Sequence, residues 1–233
     1  METQEIHSLA ALEDKHWWYR ERRAVLRREL KGLVPGRALD VGAAGGGNTR
    51  VMRDRGWKTL SVDFSPAAVE IARQRGLDAI QADACDLPLG SCEYDLVTAF
   101  DVLEHIEDDH AAATELRRVL RPGGTALIAV PCDMALWSPH DEAVGHVRRY
   151  DRTGLEELMV KAGFVVDRLW SWNVLLRPVV SIHRRFVSGS DLSETSALVN
   201  TVLSGVIVAE RYLPVRSLPG VSLMLRAHRP DGE

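Results

Sequence analysis

Ala38-Leu39-Asp40-Val41-Gly42-Ala43-Ala44-Gly45-Gly46-Gly47 is the stretch that decides the fold. Its first four residues are a short apolar run, broken by one carboxylate, that enters a glycine-rich turn. Asn48 to Arg55 then reads as a helix ended by Gly56, so the stretch is a strand, a loop and a helix. In an open α/β sheet the region beyond the carboxyl end of such a strand is where ligands bind. Glycine there permits positive φ and lets a ligand come close to the backbone.

The alternation continues downstream. A second strand is expected at Lys58 to Val62, followed by a helix with Ser65 as N-cap, Pro66 in the first turn and Gly76 after its end. Leu77 to Gln81 and Tyr94 to Phe100 read as the third and fourth strands, Asp108 to Leu120 as a helix, and Thr125 to Val130 as a fifth strand. Thr153-Gly-Leu-Glu156 has capping-box spacing and predicts a helix to about Ala162, before a sixth strand at Phe164 to Trp170. Asn173 to Leu213 reads as a helical cap, and Val221 to Ala227 as the last strand. Strands alternating with helices predict a doubly wound, mostly parallel sheet with helices on both faces.

With 233 residues, 45% of them hydrophobic, the chain is expected to be one domain: an N-terminal lid (1–36), a core (37–131) and an acceptor-side region (132–233) with its cap at about 173–213. A net charge of -4 gives no general attraction for nucleic acid, and no such partner is expected. Three irregularly spaced cysteines predict free thiols in a reducing, cytoplasmic setting, consistent with a polar N-terminus that lacks a signal-peptide pattern. The longest apolar stretch, Ala197 to Ala209, is interrupted by Asn200, Thr201, Ser204 and Gly205 and is shorter than the ~20 residues of a membrane span. No metal is expected, and the sequence is silent on oligomeric state.

Three acids stand at successive strand ends. Asp40, ahead of the glycine turn, would repel a pyrophosphate and attract the ammonium and sulfonium of S-adenosylmethionine. Asp63 is placed to accept hydrogen bonds from ribose hydroxyls, and Asp83 from an adenine amino group. Each alone is also an ordinary strand-end acid.

Leu39-Asp40-Val-Gly42, Ser61-Val-Asp63-Phe-Ser-Pro, Asp83-Ala-Cys-Asp-Leu-Pro, Tyr94-Asp-Leu-Val and Leu120-Arg-Pro-Gly-Gly resemble, in order, the motifs of class I S-adenosylmethionine-dependent methyltransferases. The flanking His16-Trp17-Trp18-Tyr19-Arg20 and His146-Val-Arg-Arg-Tyr150 are similar to elements of the same family. The resemblance implies S-adenosyl-L-methionine as cofactor, S-adenosyl-L-homocysteine as product and an antiparallel last strand. It implies that Asp40, Gly42 and Gly46 border the methionine end, Asp63 and Phe64 the ribose and adenine, and Asp83 with Ala84 the adenine edge. Phe100 and Asp101 fall on the methionine side, and Trp17, Tyr19 and Arg20 belong to the cofactor-binding N-terminal element. Ala44 departs from the glycine that many relatives carry.

Methyl transfer is an in-line displacement that needs acceptor and methyl about 3 to 3.5 Å apart. The expected reaction is O-, N- or C-methylation of a small molecule, planar or apolar if Trp137, Trp170 and Trp172 line its site. Where the acceptor must lose a proton, His140, His146, Asp141 and Tyr150 are the candidates, with His146 the first, while His105 would face acceptor or cofactor near the reactive methyl. A helix-start histidine bonded to a backbone carbonyl would equally explain His105, and a surface histidine orienting Arg148 and Arg149 would explain His146. Two other functions fit a nucleoside pocket. One is an NAD-dependent oxidoreductase, which would want Gly-x-Gly-x-x-Gly without Asp40; the other is a non-catalytic nucleoside-binding domain. A nucleic-acid or protein methyltransferase is disfavoured by Ala99-Phe100-Asp101-Val102, which stands where an Asn/Asp-Pro-Pro-Tyr/Phe loop would be.

Overall fold

A computed structural model of the chain describes residues 10, 12–186 and 196–232. The first nine residues of the expected lid, residue 11, residues 187–195 of the expected cap and the last residue lie outside the described residues.

Seven strands form one sheet in the order β3-β2-β1-β4-β5-β7-β6. They are β1 (Arg37–Val41), β2 (Lys58–Asp63), β3 (Ala79–Gln81), β4 (Tyr94–Phe100), β5 (Leu120–Pro131), β6 (Val165–Trp172) and β7 (Ser222–His228). Strands β1 to β5 run parallel, and β7 lies antiparallel between β5 and β6. The order reverses between β1 and β4, and that switch point opens the crevice at the strands' carboxyl ends.

The period of two along each strand divides the core. Leu39, Val41, Val97, Ala99, Ile128, Val130 and Leu225 face one side, where they meet α4 (Asp109–Val119) and α6 (Arg152–Lys161) through Leu116, Leu155 and Met159. Ala38, Leu96, Phe100, Leu127, Ala129 and Met224 face the other, against α1 (Trp17–Glu29), α2 (Gly47–Arg53) and α8 (Ala197–Glu210) through Leu26, Met52 and Ile207. Each fully buried leucine of these layers, such as Leu26 or Leu96, contributes about 1.5 to 3 kcal/mol of burial.

The doubly wound sheet and its antiparallel final strand match the sequence reading, with three local differences. Strand β5 already begins at Leu120, pairing with Tyr94, and the Arg-Pro-Gly-Gly run is an irregularity within it where the register shifts. Helix α6 is capped by Asp151, whose carboxylate accepts the Gly154 amide at 2.7 Å, rather than by Thr153. Segment 133–150, for which the sequence predicts no element, contains a 3-10 turn at Met134–Leu136 and the short α5 (Pro139–Ala143). The cap contributes α7 (Arg177–Phe186) and α8, and α3 (Pro66–Gln74) completes the second strand-helix unit with Ser65 as N-cap, though its side chain makes no capping bond. Among the described residues, no helix is long and apolar enough to cross a membrane. Cys85, Cys92 and Cys132 are free.

Candidate active site

The loop after β1 is shaped by what its residues cannot carry. Gly42 has φ +67° and Gly46, which caps α2, has φ +80°. A Cβ at either would collide with Val102 or Leu77. Ala44 adopts φ +45° without being glycine, and its amide donates to Asp63 Oδ2 at 2.8 Å. The Ser65 amide donates to Oδ1 of the same carboxylate at 2.9 Å, so Asp63 clamps the glycine loop to the end of β2. Burial raises the Asp63 carboxyl above its ordinary range, against the two amides that lower it.

Asp40 lies elsewhere than its position ahead of the turn suggested. It is 1% exposed and does not line the crevice; Thr49 Oγ1 and Thr98 Oγ1 each donate to its carboxylate at 2.6 Å. Burial pushes the carboxyl up to about 6, with the two hydroxyls opposing. Asp40 therefore stabilises the junction of β1, β4 and α2 from beneath.

The crevice is a cleft of about 940 Å³. Gly42, Asp63, Phe64, Asp83 and Ala84 line one part of it, and Phe100, Asp101, His105 and His146 another. Phe64 presents its ring at 74% exposure, an available stacking face. Asp83 Oδ1 accepts the Cys85 amide at 2.9 Å. Trp17 and Tyr19 stand on the N-terminal wall, whereas Arg20, on the same helix, is exposed and outside the lining. Gly46 and Tyr150 are also outside it.

On this helix the arginines that enter the cleft are Arg22 and Arg23, three and four residues after Tyr19 on the same helical face, and Arg149 and Arg184 line it from other elements. Arg22 forms an ion pair with Asp101, packs 5.1 Å from the Phe100 ring centre, and leaves Nη2 buried without a hydrogen-bond partner among the described residues. Burial lowers its guanidinium to about 10. Arg23 Nη2 donates to the Glu13 carbonyl at 2.6 Å, and the Glu13 carboxylate accepts from Arg50 at 2.7 Å and Arg75 at 2.5 Å beside the glycine loop. Across the cleft, Asn200 of α8 accepts the Trp17 amide at 2.7 Å and donates to the Lys15 carbonyl at 3.0 Å. The cap and the N-terminal wall are thereby one structure.

At the end beyond β4, the turn Leu103–His105 meets segment 140–150, fastened by the Val147 amide donating to the Glu104 carbonyl at 2.8 Å. The rings of His105 and His146 are 4.7 Å apart. His146 Nδ1 lies 2.8 Å from Asp141 Oδ1, and Arg149 holds the same carboxylate through two bonds. Burial would raise the Asp141 carboxyl, but His146 and Arg149 outweigh it and hold it well below the usual range. His105 Nδ1 is 3.2 Å from the Gly145 carbonyl, and burial together with His146 pushes its imidazole down to about 4. Glu104, absent from the sequence candidates, is wholly buried, and burial pushes its carboxyl up to about 8. Tyr150 instead donates from its hydroxyl to Asp109 at 2.7 Å and to the Leu103 carbonyl at 3.2 Å, and burial raises its phenol. It braces the fold behind the site.

From the cap, Leu176, Val180 and Leu203 add apolar side chains to the wall, beside His183 and Arg184. Trp170 and Trp172 are core residues that pack against α1, Trp18 meeting Trp172 at 4.6 Å between ring centres. Neither they nor Trp137 line the cleft.

A methyltransferase-domain family model matches residues 15–169. The chain belongs to the S-adenosylmethionine-dependent methyltransferases of class I. A Mycolicibacterium smegmatis protein named "Probable S-adenosylmethionine-dependent methyltransferase" is 27% identical over 69% of this chain and 64% of its own length. The chain thus spans less than two thirds of that relative. A demethylmenaquinone methyltransferase of Renibacterium salmoninarum is 34% identical over 42% of this chain and 43% of its own. Among solved structures, a chain of the Haloferax volcanii complex between the Trm112 methyltransferase activator and a methyltransferase superposes with a TM-score of 0.66 at 22% identity, covering 97% of this chain and 98% of that one. At that identity the likeness is one of fold.

Proposed function

We propose that the cleft binds S-adenosylmethionine and transfers its methyl group to a small, largely apolar acceptor. The observation that carries this reading is convergence: the glycine loop, Asp63, Asp83 and the Arg22–Asp101 pair, from different elements, border one cleft that continues into a chamber lined by Leu176, Val180 and Leu203. At about 940 Å³ it is at the upper end for a single ligand, with room for a nucleoside cofactor and a second molecule.

In this reading Asp63, with lone pairs left after holding two backbone amides, accepts the ribose hydroxyls, and Phe64 stacks on adenine. Asp83 and the Ala84 amide meet the adenine edge. The zwitterionic methionine end suits the Arg22–Asp101 pair, the orphaned Nη2 taking the carboxylate and Asp101 the ammonium. His105 and His146 then flank the acceptor, where His146, oriented by Asp141 as in other base-orienting pairs, stands to receive a proton. The apolar wall of Leu176, Val180 and Leu203 supports a ring-bearing acceptor, the chemistry of the compound named for the Renibacterium relative.

Incubating the protein with methyl-labelled S-adenosylmethionine and a panel of apolar ring compounds bearing hydroxyl, amine or carbon nucleophiles tests this. Label transferred to a panel member with equal formation of S-adenosylhomocysteine is the expected result. Transfer confined to macromolecules in a lysate, with none to the panel, would contradict it.

A further inference from the structure

Glu104 lines the cleft beside His105 and His146. Its carboxylate is wholly buried, and neither oxygen has a hydrogen-bond partner among the described residues. A buried carboxylate without partners is a large penalty unless a cation or proton meets it. Of the two nearby cations, Arg149 is paired with Asp141 and Arg22 with Asp101, and neither hydrogen-bonds the Glu104 carboxylate. What faces Glu104 is His146, whose Nε2 lies 3.8 Å from Oε1.

The imidazoles are arranged as ligands are. His146 Nδ1 is 2.8 Å from the Asp141 carboxylate and His105 Nδ1 is 3.2 Å from the Gly145 carbonyl. Each contact favours a proton on Nδ1 and leaves the Nε2 lone pair free, the carboxylate-histidine and carbonyl-histidine relationships that orient metal ligands. One ligand atom from each of Glu104, His105 and His146 lies within 4.8 Å of the others, and all three residues line the cleft. Bonds of about 2.1 Å at tetrahedral or octahedral angles bring ligand atoms about 3 to 3.5 Å apart, so small side-chain rotations close the set on an ion.

We propose that Glu104, His105 and His146 bind a divalent first-row transition-metal ion at the reaction end of the cleft, and that the ion takes a hydroxyl oxygen of the acceptor. Two imidazoles and a carboxylate favour such ions over magnesium or calcium, and three protein ligands leave coordination positions open. The ion offsets the buried charge of Glu104. The second half of the proposal rests on the small-molecule transferase reading and narrows it to oxygen acceptors. The coordinated hydroxyl, acidified by the ion, loses its proton to solvent. An oxygen lone pair forms the bond to the methyl carbon as the carbon–sulfur bond breaks, and its electron pair remains on sulfur, leaving a methyl ether and neutral S-adenosylhomocysteine. His146 then acts through the ion instead of as a free base.

The test is titration of chelator-treated protein with cobalt(II), read by visible absorption and calorimetry, in wild type, Glu104→Gln and His146→Ala, with S-adenosylhomocysteine binding to wild type measured in parallel. Glu104→Gln removes a buried charge at constant size, so it remains informative if His146→Ala folds poorly. The expected result is one cobalt per chain, with ligand-field bands that shift when a hydroxyl acceptor is added, and affinity lowered by more than about tenfold in each variant. No stoichiometric cobalt, or equal affinity in Glu104→Gln, would overturn the site. If that occurs while S-adenosylhomocysteine still binds, the transferase reading stands without it. Cobalt binding that depends on Glu104 but leaves the bands unmoved by any hydroxyl acceptor would overturn the acceptor assignment.

Discussion

Asp63 accepts the amide of Ala44 at 2.8 Å, so the carboxylate that closes β2 also fixes the glycine-rich loop that follows β1. Two walls of one cleft are coupled through a single side chain. Asp63→Ala should weaken S-adenosylhomocysteine binding by about 1.5 to 3 kcal/mol, roughly ten- to a hundredfold, through loss of charge-assisted ribose contacts. Calorimetry checks this, and an unchanged dissociation constant would remove Asp63 from the ribose site.

Ala44 itself bears a conformational cost, since its φ of +45° is the left-handed region in which a Cβ is unfavourable. Ala44→Gly is expected to raise stability by up to about 1 kcal/mol, read from the urea midpoint. A loss of stability would mean that the alanine methyl makes packing contacts worth more than the strain.

The buried Asp40 predicts a pH dependence. Its carboxyl titrates at about 6 in the folded protein, above the ordinary 3.8, so the folded state holds more protons than the unfolded between those values. Its contribution to stability is therefore full below about pH 4 and falls as pH rises to 6, by a magnitude on the order of 2 kcal/mol. In Asp40→Asn that part of the pH slope should vanish in chemical denaturation at pH 4 and pH 7. A wild-type slope in the variant would contradict the assignment.

These residues also show what was legible in the chain. Strand-end positions such as Asp63, Asp83 and Asp101 could be read because the alternation of strand and helix fixes where a strand stops. Asp40 could not, because it precedes the last residue of β1 and its side chain turns sideways into Thr98 of β4 and Thr49 of α2, a direction set by pleat and neighbours. Arg22 and Arg23, in place of Arg20, follow from helical phase once Tyr19 faces the cleft, a signal present in the spacing of the Trp-Trp-Tyr-Arg-Glu-Arg-Arg run. Trp170 and Trp172 went to the core, and the apolar side chains of the chamber came instead from Leu176, Val180 and Leu203, which only the packing of the cap brings together. Tyr150 was indistinguishable in sequence from a reacting phenol; its partner Asp109 is far away along the chain.

Asn200 joins the cap to the N-terminal wall by two hydrogen bonds at 2.7 and 3.0 Å. Asn200→Ala should cost about 1 to 2 kcal/mol of local stability and speed hydrogen exchange at the Trp17 amide. Unaltered protection there would show that the wall is held by other contacts.

The most direct measurement is calorimetric titration of the purified protein with S-adenosylhomocysteine, with NAD run in parallel. Micromolar binding of S-adenosylhomocysteine at one site per chain, and no heat from NAD, is the predicted result. Binding of NAD alone, or of neither, would contradict the assignment of this cleft to S-adenosylmethionine.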